Sequence, residues 1–193
     1  MKSKKNALIA TLLSVVSVSC VISAFVVNAA SKANKTIQLT ALYNGETVDI
    51  VGDAVEEYLS AEGDEAQIDA LLKNQCSDDW VKEVTLSWKQ NGSSFYTVYL
   101  SENQTFEDAT VEKVFGYTPT LELYNLIPGR TYYWKVRGTY SNDTSEVGSF
   151  TTKQSAVRAI SVDGVSNVRD LGGYKVGSGN VNYGLLYRGG KLN

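Results

Sequence analysis

The sequence has no histidine and only two cysteines, two prolines and one methionine among its 193 residues. Without histidine, the chain cannot use imidazole for acid–base catalysis or for metal ligation. Two cysteines, Cys20 and Cys76, are too few to complete a tetrahedral zinc site. We therefore expect neither a metal site nor a cofactor.

The residues that are plentiful favour strands and turns. The chain has 12 Tyr, 3 Trp and 16 Gly, with 43% hydrophobic and 20% charged residues. Aromatic residues are enriched in strands and glycine in turns. The composition is that of a globular β-rich protein, apart from its N-terminus.

The first 29 residues predict export. Three lysines within the first five residues precede an apolar run over residues 7–27, and small residues allow cleavage after Ala29. The run is also long enough to span a bilayer, so residues 1–29 are either a cleaved signal peptide or an N-terminal anchor. Lipidation at Cys20 is disfavoured because the apolar run continues beyond it. We expect a secreted or cell-surface anchored protein that contacts the membrane only through this segment.

Acidic residues crowd between Glu46 and Glu83, and the net charge is −3. This density of negative charge argues against binding of nucleic acid or of an anionic membrane through that region. We expect no nucleic-acid partner, and the sequence predicts no oligomeric state.

The mature chain begins with a strand pattern. Ile37, Leu39 and Ala41 alternate with polar residues, Asn44-Gly45 is a turn signal, and residues 48–51 are again strand-like. The pattern fits either a short hairpin or a bent first strand.

Two short helices are predicted next. Asp53-x-x-Glu56 and Asp64-x-x-Gln67 both resemble capping boxes. The apolar faces that follow them are, respectively, Val55, Tyr58 and Leu59, and Ile68, Leu71 and Leu72. Each helix is too short to be stable without packing against a sheet.

Residues 83–153 predict consecutive strands. Apolar side chains alternate in four stretches, which carry Val84, Leu86 and Trp88; Tyr96, Val98 and Leu100; Leu121 and Leu123; and Tyr132, Trp134 and Val136, before a last strand over residues 147–152. Short strands at such spacing indicate a β-sandwich.

The run from Leu126 to Val136, L-x-P-G-x-x-Y-x-x-x-V, resembles the E–F corner of a fibronectin type III domain. The resemblance makes Tyr132 the corner tyrosine and places Trp88, in V-T-L-S-W, in the core. It implies a domain over residues 35–153 with a core that includes Trp88, Leu126, Pro128, Tyr132 and Val136. The helices of residues 53–74 are then an insertion, and Tyr133 is expected to point outward.

After a polar connector over residues 152–159, the chain resembles the start of the bacterial tyrosine-phosphatase family. Residues 167–174 read N-x-R-D-L-G-G-Y, and residues 186–192 read L-Y-R-G-G-x-L, with Gly189 where the family more often has Ser. A turn at residues 178–180 is expected between these motifs. The resemblance makes residues 154–193 the truncated start of an α/β domain, after an all-β fibronectin-like sandwich with a short helical insertion.

The resemblance implies a phosphoric monoester hydrolase with a phosphorylated protein or lipid as substrate. Such enzymes need a thiolate nucleophile and an arginine that grips the phosphate. In that family they occur as H-C and, after five intervening residues, R, and the chain does not contain this loop. Carboxylates at positions 78 and 79 would raise the pKa of the Cys76 thiol, so Cys76 is not the nucleophile. We expect no catalytic residue here and an inactive chain.

The same resemblance places Asn167, Arg169 and Asp170 near an active-site rim, where they either support the architecture or contact substrate. Arg188 is likewise either structural or adjacent to phosphate. Arg169 and Asp170 are adjacent and could pair with each other, while Gly172-Gly173 predicts a tight turn rather than a phosphate cradle.

Residues from Ile160 onward are too few to fold alone, since about 40 residues is the usual lower limit without disulfides or metals. Their apolar side chains should either dock on the sandwich or stay exposed, with weak order. A second function stays open, that of a non-catalytic cell-surface binding or spacer module.

Overall fold

The computed structural model describes residues 37–74 and 80–190. The predicted N-terminal targeting segment, Cys20 and Cys76 lie outside these residues. The described part contains two helices, α1 (Asp53–Ser60) and α2 (Glu65–Asn74). Neither has the length and apolar character needed to cross a bilayer.

The described residues contain thirteen strands. The first eight are β1 (Leu39–Ala41), β2 (Glu46–Val48), β3 (Val84–Trp88), β4 (Phe95–Ser101), β5 (Thr110–Phe115), β6 (Thr120–Leu123), β7 (Thr131–Gly138) and β8 (Gly148–Thr152). The last five are β9 (Arg158–Val162), β10 (Val165–Asp170), β11 (Lys175–Val176), β12 (Gly179–Asn180) and β13 (Tyr187–Arg188).

The first eight strands form a sandwich of two sheets. One sheet has the order β1-β3-β6 and the other β2-β8-β7-β4-β5. All pairs are antiparallel except β2 with β8, which is parallel. This division of strands is that of fibronectin type III and related immunoglobulin-like sandwiches, so the predicted all-β fold class is confirmed.

The first strand is bent rather than folded into a hairpin. Strand β1 pairs with β3 in one sheet, whereas β2 pairs with β8 in the other. Leu42 has φ 54° and Gly45 has φ 78° where the chain crosses between the sheets. The left-handed backbone at these two residues bends the chain from one sheet to the other.

The helical insertion is present, but the capping box predicted at Asp53 is wrong. Gly52 is the N-cap of α1 and provides no side-chain bond, while Asp53 lies inside the helix and pairs with Lys82 Nζ at 2.5 Å. Asp64 does cap α2, accepting hydrogen bonds from the N–H groups of Ala66 and Gln67. Tyr58 and Leu59 on α1 are exposed, so its buried face is narrower than the sequence predicts.

Val55 is the residue through which α1 joins the core, since it is 3% exposed and belongs to the main apolar cluster. Lys153, just after β8, also connects α1 to the sandwich, through an ion pair with Glu56. Its Nζ lies 2.8 Å from Glu56 and 3.4 Å from Asp49.

Trp88 lies at the centre of the core. It is 2% exposed, and its ring contacts Tyr96 edge-on at 5.4 Å and Trp134 at 6.5 Å between centroids. Leu126, Tyr132 and Val136 belong to the same cluster, and Pro128 is buried beside them. Tyr133, on the opposite face of β7, is only partly buried.

The predicted tyrosine corner is present. The Tyr132 hydroxyl accepts a hydrogen bond of 3.0 Å from the Ile127 N–H, five residues upstream, and its ring stacks on Phe150 at 5.5 Å. Thr152 donates from its hydroxyl to the Ile127 carbonyl at 2.6 Å. The loop between β6 and β7 is therefore fixed from two sides.

Truncation of Trp88 tests the core. Trp88→Ala should lower the free energy of unfolding by about 3–5 kcal/mol, because it removes a large buried side chain from between two other rings. Tyr133→Ala is the matched control and should cost under about 1 kcal/mol. Denaturant melts that rank the two variants in the opposite order would contradict the register of β7.

Candidate functional site

The C-terminal segment adds a second, smaller sheet to the molecule. Strands β9 and β10 form a hairpin around Gly164, which has φ 74°, and β13 pairs with the free edge of β10. The pairing of β9 and β10 shifts between Val165 and Val168, and Asn167 within this shift has φ 54°. The family-like motif at residues 167–174 thus begins on a bulged central strand.

Asp170 is the centre of this sheet. It is fully buried, yet its carboxylate has three donors: the Gly172 N–H at 2.8 Å on Oδ1, and the Gly184 N–H at 2.8 Å and Arg158 Nη1 at 2.5 Å on Oδ2. A buried carboxylate needs such compensation, since an isolated buried charge is strongly unfavourable. Asp170 thereby closes both loops that follow β10.

These donors also set the ionisation of Asp170. Burial alone would raise the pKa of its carboxyl group, but the Gly172 and Gly184 N–H groups and the Arg158 guanidinium outweigh burial. The net result is a pKa below the usual value for aspartate, and Asp170 is a carboxylate at neutral pH.

Arg158 joins Asp170 to the sandwich. Its Nε donates to the Leu126 carbonyl at 3.1 Å, and its Nη2 donates to the Asn125 carbonyl at 2.5 Å. Both carbonyls belong to the corner loop that Tyr132 holds. The guanidinium therefore lies between the carboxylate of the family-like motif and the backbone of the sandwich.

Asn125 makes a second connection between the same two parts. Its side-chain amide donates to the Ser161 carbonyl at 3.0 Å and accepts from the Ser161 N–H at 2.7 Å. This is the hydrogen-bond pattern of a neighbouring strand, supplied by one side chain. Asn125 itself has φ 60°, a left-handed conformation that asparagine tolerates better than most residues.

The ion pair predicted between Arg169 and Asp170 is wrong. Successive side chains of a strand point to opposite faces, so Asp170 turns inward and Arg169 turns outward. Arg169 Nε instead donates to Asn167 Oδ1 at 3.1 Å, and its guanidinium lies 5.5 Å from the centre of the Trp80 ring. The sequence pattern missed Arg158, which lies in the stretch expected to be a connector.

Gly172-Gly173 forms a tight turn, as the sequence predicted. Gly173 has φ 84°, its N–H donates to the Val181 carbonyl at 2.8 Å, and the Tyr183 ring packs so closely on both glycines that a Cβ at either would clash. Because the N–H groups of both glycines are already engaged, they do not form a phosphate cradle. The turn between β11 and β12 is formed by Gly177 and Ser178. It begins one residue before the predicted start at Ser178.

Arg169 and Arg188 lie opposite one another on the face of the sheet that Asp170 does not occupy. They are direct partners in the register of β10 and β13, and neither forms a salt bridge with any residue of 37–74 or 80–190. Like charges directly opposite one another destabilise a strand pair. An anion bound between the two guanidinium groups would remove this repulsion.

A cavity of about 410 Å³ adjoins Arg169, between the β9–β10 hairpin and the sandwich. Trp80 and Val81 line it on one side, and Asn167 and Arg169 line it on the other. Of the four predicted site residues, Asn167 and Arg188 are exposed, and Arg169 is half-buried at this cavity. Asp170 is fully buried, and its observed contacts are structural.

Loss of Arg158 tests the central ion pair. Arg158→Met should lower the free energy of unfolding by about 3–5 kcal/mol, because it leaves a buried carboxylate without its cation. It should also speed hydrogen exchange at the Gly172 and Gly184 amides. Arg169→Met, at a neighbouring half-buried arginine that has no carboxylate partner among the described residues, is the control, and an equal effect of both variants would contradict this assignment.

Acid provides a second test of the pair. A carboxyl whose folded pKa is lowered stabilises the fold above its unfolded pKa, near 3.9, and loses that contribution as the pH falls toward the folded pKa. The difference in unfolding free energy between the native chain and an Arg158→Met/Asp170→Asn double variant should therefore be constant above about pH 5 and shift against the native chain below pH 4. Melts whose difference does not change between pH 7 and pH 3 would rule out a lowered pKa.

Residues 160–193 match the model of the tyrosine phosphatase family. The match is confined to this C-terminal segment and includes the motif that carries Asp170. A comparison with curated proteins finds no match.

Among solved structures, the chain is similar to one titled "Solution structures of the fn3 domain of human contactin 1". The similarity has 20% sequence identity and a TM-score of 0.34, and it covers 38% of this chain and 68% of that one. The strand order is that of a fibronectin III-like sandwich, and the C-terminal segment that follows it matches the model of the tyrosine phosphatase family.

Proposed function

We propose that the chain is the N-terminal part of an exported tyrosine-phosphatase-like hydrolase of phosphoric monoesters, which acts in protein dephosphorylation. In this proposal the fibronectin-like domain precedes a catalytic domain that begins near Ile160. The match of residues 160–193 to the tyrosine phosphatase family is the observation that carries it. The basic and apolar N-terminal residues support export.

The outward arginines support a role near phosphate. Arg169 and Arg188 face each other without a carboxylate partner among the described residues, and Asn167 orients the Arg169 side chain. Guanidinium groups bind phosphate oxygens bidentately. We propose that Asn167, Arg169 and Arg188 lie beside the substrate phosphate. Asp170, which is buried, fixes the backbone of the motif through its hydrogen bonds.

The exposed apolar residues of the segment support a larger domain. Tyr174, Val176, Leu185, Leu186 and Tyr187 are between 47% and 72% exposed, and they lie close together in the sequence. Apolar surface of this kind usually marks a contact with another part of a protein. In the proposal, the remainder of the phosphatase domain covers it.

The proposed substrate is a phosphorylated protein or lipid, and no cofactor is needed. A thiolate nucleophile and an arginine suffice for phosphoryl transfer through a covalent intermediate. Both would come from a loop of the form H-C-x-x-G-x-x-R, which the present residues do not include.

A second candidate function is a non-catalytic cell-surface binding or spacer module. It is favoured by the exposed rings of Phe115, Tyr117 and Tyr140, at the end of the sandwich far from residues 160–193, here called the family-like segment. Aromatic rings provide neither a nucleophile nor a positive charge for a phosphate group.

Sequencing the genomic DNA beyond codon 193 separates the two functions. An in-frame H-C-x-x-G-x-x-R supports the phosphatase, and a stop codon or unrelated sequence supports the module. In the longer protein, Arg169→Gln should lower kcat/KM for an aryl phosphate by about tenfold or more, since a charge-assisted bond to phosphate is lost. Lys175→Gln, on an exposed hairpin nearby, should leave kcat/KM unchanged.

The chain as given should not hydrolyse aryl phosphates. Neither cysteine is followed by an arginine at the spacing that the family's loop requires, and there is no histidine. The measurement is the release of the aryl alcohol by purified residues 30–193, with Cys76→Ser as the control. Turnover that persists in the control would reveal different catalytic machinery.

A further inference from the structure

Four aromatic side chains gather at the end of the sandwich opposite the family-like segment. Strand β7 leaves the corner loop at Thr131 and ends at Gly138, so the two ends are about 25 Å apart at 3.4 Å per residue. At the far end, the rings of Phe95, Phe115, Tyr117 and Tyr140, here called the aromatic cluster, lie side by side.

The rings of the aromatic cluster are stacked and open to solvent. Phe115 stacks on Tyr117 at 5.5 Å with 24° between planes, and Phe95 contacts both Phe115 at 5.1 Å and Tyr140 at 6.4 Å. Phe115 is 53% exposed, Tyr117 74% and Tyr140 86%. Rings held in place by their neighbours but left uncovered are a preformed binding surface, since little side-chain entropy remains to be lost.

Cations lie next to these rings on the same face of the sheet. Lys113, Thr97 and Arg137 form one row across β5, β4 and β7, directly below the row of Phe115 and Phe95. The strand spacing puts the Cα atoms of Lys113 and Arg137 about 10 Å apart. Neither cation forms a salt bridge within the described residues.

Lys135 extends the positive charge by one more row. It lies two residues before Arg137 on β7, and its Nζ is 4.1 Å from the centre of the Phe106 ring and 5.5 Å from that of Tyr99. In a chain with a net charge of −3, three cations on one sheet face without a salt bridge in residues 37–74 and 80–190 form a local reversal of charge.

Hydroxyl groups lie beside the cations on this face. Thr97, in the row of Lys113 and Arg137, shares a hydrogen bond of 3.0 Å with Thr139. Val111 is the exposed aliphatic residue of β5 on this side. The face thus alternates flat apolar rings with hydroxyls, and it lacks the continuous apolar centre of a typical protein–protein interface.

We propose that this face binds an anionic polysaccharide. The apolar faces of sugar rings would stack on Tyr117 and Tyr140, and carboxylate or sulfate groups of the polymer would pair with Lys113 and Arg137. A polymer that alternates apolar ring faces, hydroxyls and well-separated charges matches the three kinds of group on this face. Single-stranded nucleic acid also stacks on aromatic residues, but it carries a charge on every nucleotide and is bound by proteins with far denser positive charge.

The test is affinity electrophoresis of the full chain in gels that contain one polymer at a time. Polygalacturonate and dextran sulfate supply the two anionic groups, and unmodified dextran is the neutral match to the second. We expect retardation by at least one anionic glycan and none by dextran. Polyglutamate and single-stranded DNA test a protein-like and a nucleic-acid partner.

Two double variants test the two kinds of contact. Tyr117→Ser/Tyr140→Ser and Lys113→Gln/Arg137→Gln should each weaken retardation by about tenfold or more, since each removes one of the two contact types. The control Tyr43→Ser/Tyr174→Ser changes two tyrosines outside this face, which are 49% and 47% exposed, and should bind as the native chain does. Thermal melts should be unchanged for all three, because these side chains are exposed.

Three results would overturn the proposal. The first is no retardation by either anionic glycan. The second is retardation that survives the tyrosine variant, which would indicate charge alone. The third is equal or stronger retardation by polyglutamate or by single-stranded DNA, which would assign the face to a different class of macromolecule.

Discussion

The buried ion pair between Arg158 and Asp170 is the interaction on which the arrangement of the C-terminal segment depends. Asp170 has no solvent exposure, and Arg158 spans from its carboxylate to the backbone of the corner loop. The segment has little apolar burial of its own, since Leu185, Leu186 and Tyr187 are more than half exposed. Polar contacts, rather than a second hydrophobic core, therefore define where it lies.

A buried ion pair adds little net stability compared with an apolar contact, but it demands a defined geometry. Asp170 accepts from Arg158 and from two glycine N–H groups, and moving the carboxylate would leave all three donors unpaired in a poorly hydrated place. The arrangement thus fixes the turn after β10 and the loop before β13 at once. The outward position of Arg169, one residue away, follows from the inward position of Asp170.

The corner loop serves both parts of the molecule. Tyr132 binds the Ile127 N–H from the sandwich side, while Arg158 binds the carbonyls of Asn125 and Leu126 from the other side. The tyrosine corner belongs to the fibronectin-like fold, so a feature that stabilises the sandwich also presents a rigid pair of acceptors. The sandwich therefore helps to fix the position of the family-like motif through these hydrogen bonds.

The sequence predicted most of the sandwich because the alternation of apolar and polar residues indicates a strand that buries one of its faces. It did so for β3 and β7, whose inward residues Trp88, Tyr132 and Val136 are all in the core. It missed β5, where only Val114 is buried, because an edge strand with both sides exposed shows no alternation. It also missed Arg158, since a pattern within a short polar stretch does not reveal a partner 12 residues ahead or a loop 32 residues behind.

For the same reason, the sequence pattern did not reveal the face that carries the aromatic cluster and the cations. Phe95, Phe115 and Tyr140 are far apart in the sequence, and the register of β4 and β5 makes Phe95 and Phe115 neighbours. Exposed aromatic residues on strands usually form cross-strand pairs that cover one another. Here the cluster lies on the edge side of the sheet, where no further strand shields β5, and its outermost rings are exposed to solvent.

The two ends of the sandwich therefore differ in what covers them. One end is closed by hydrogen bonds to the family-like segment, and the other is left open with rings, hydroxyls and cations in place. A domain built only as a spacer has no physical reason to keep such a surface uncovered, because exposed rings favour aggregation unless a ligand uses them.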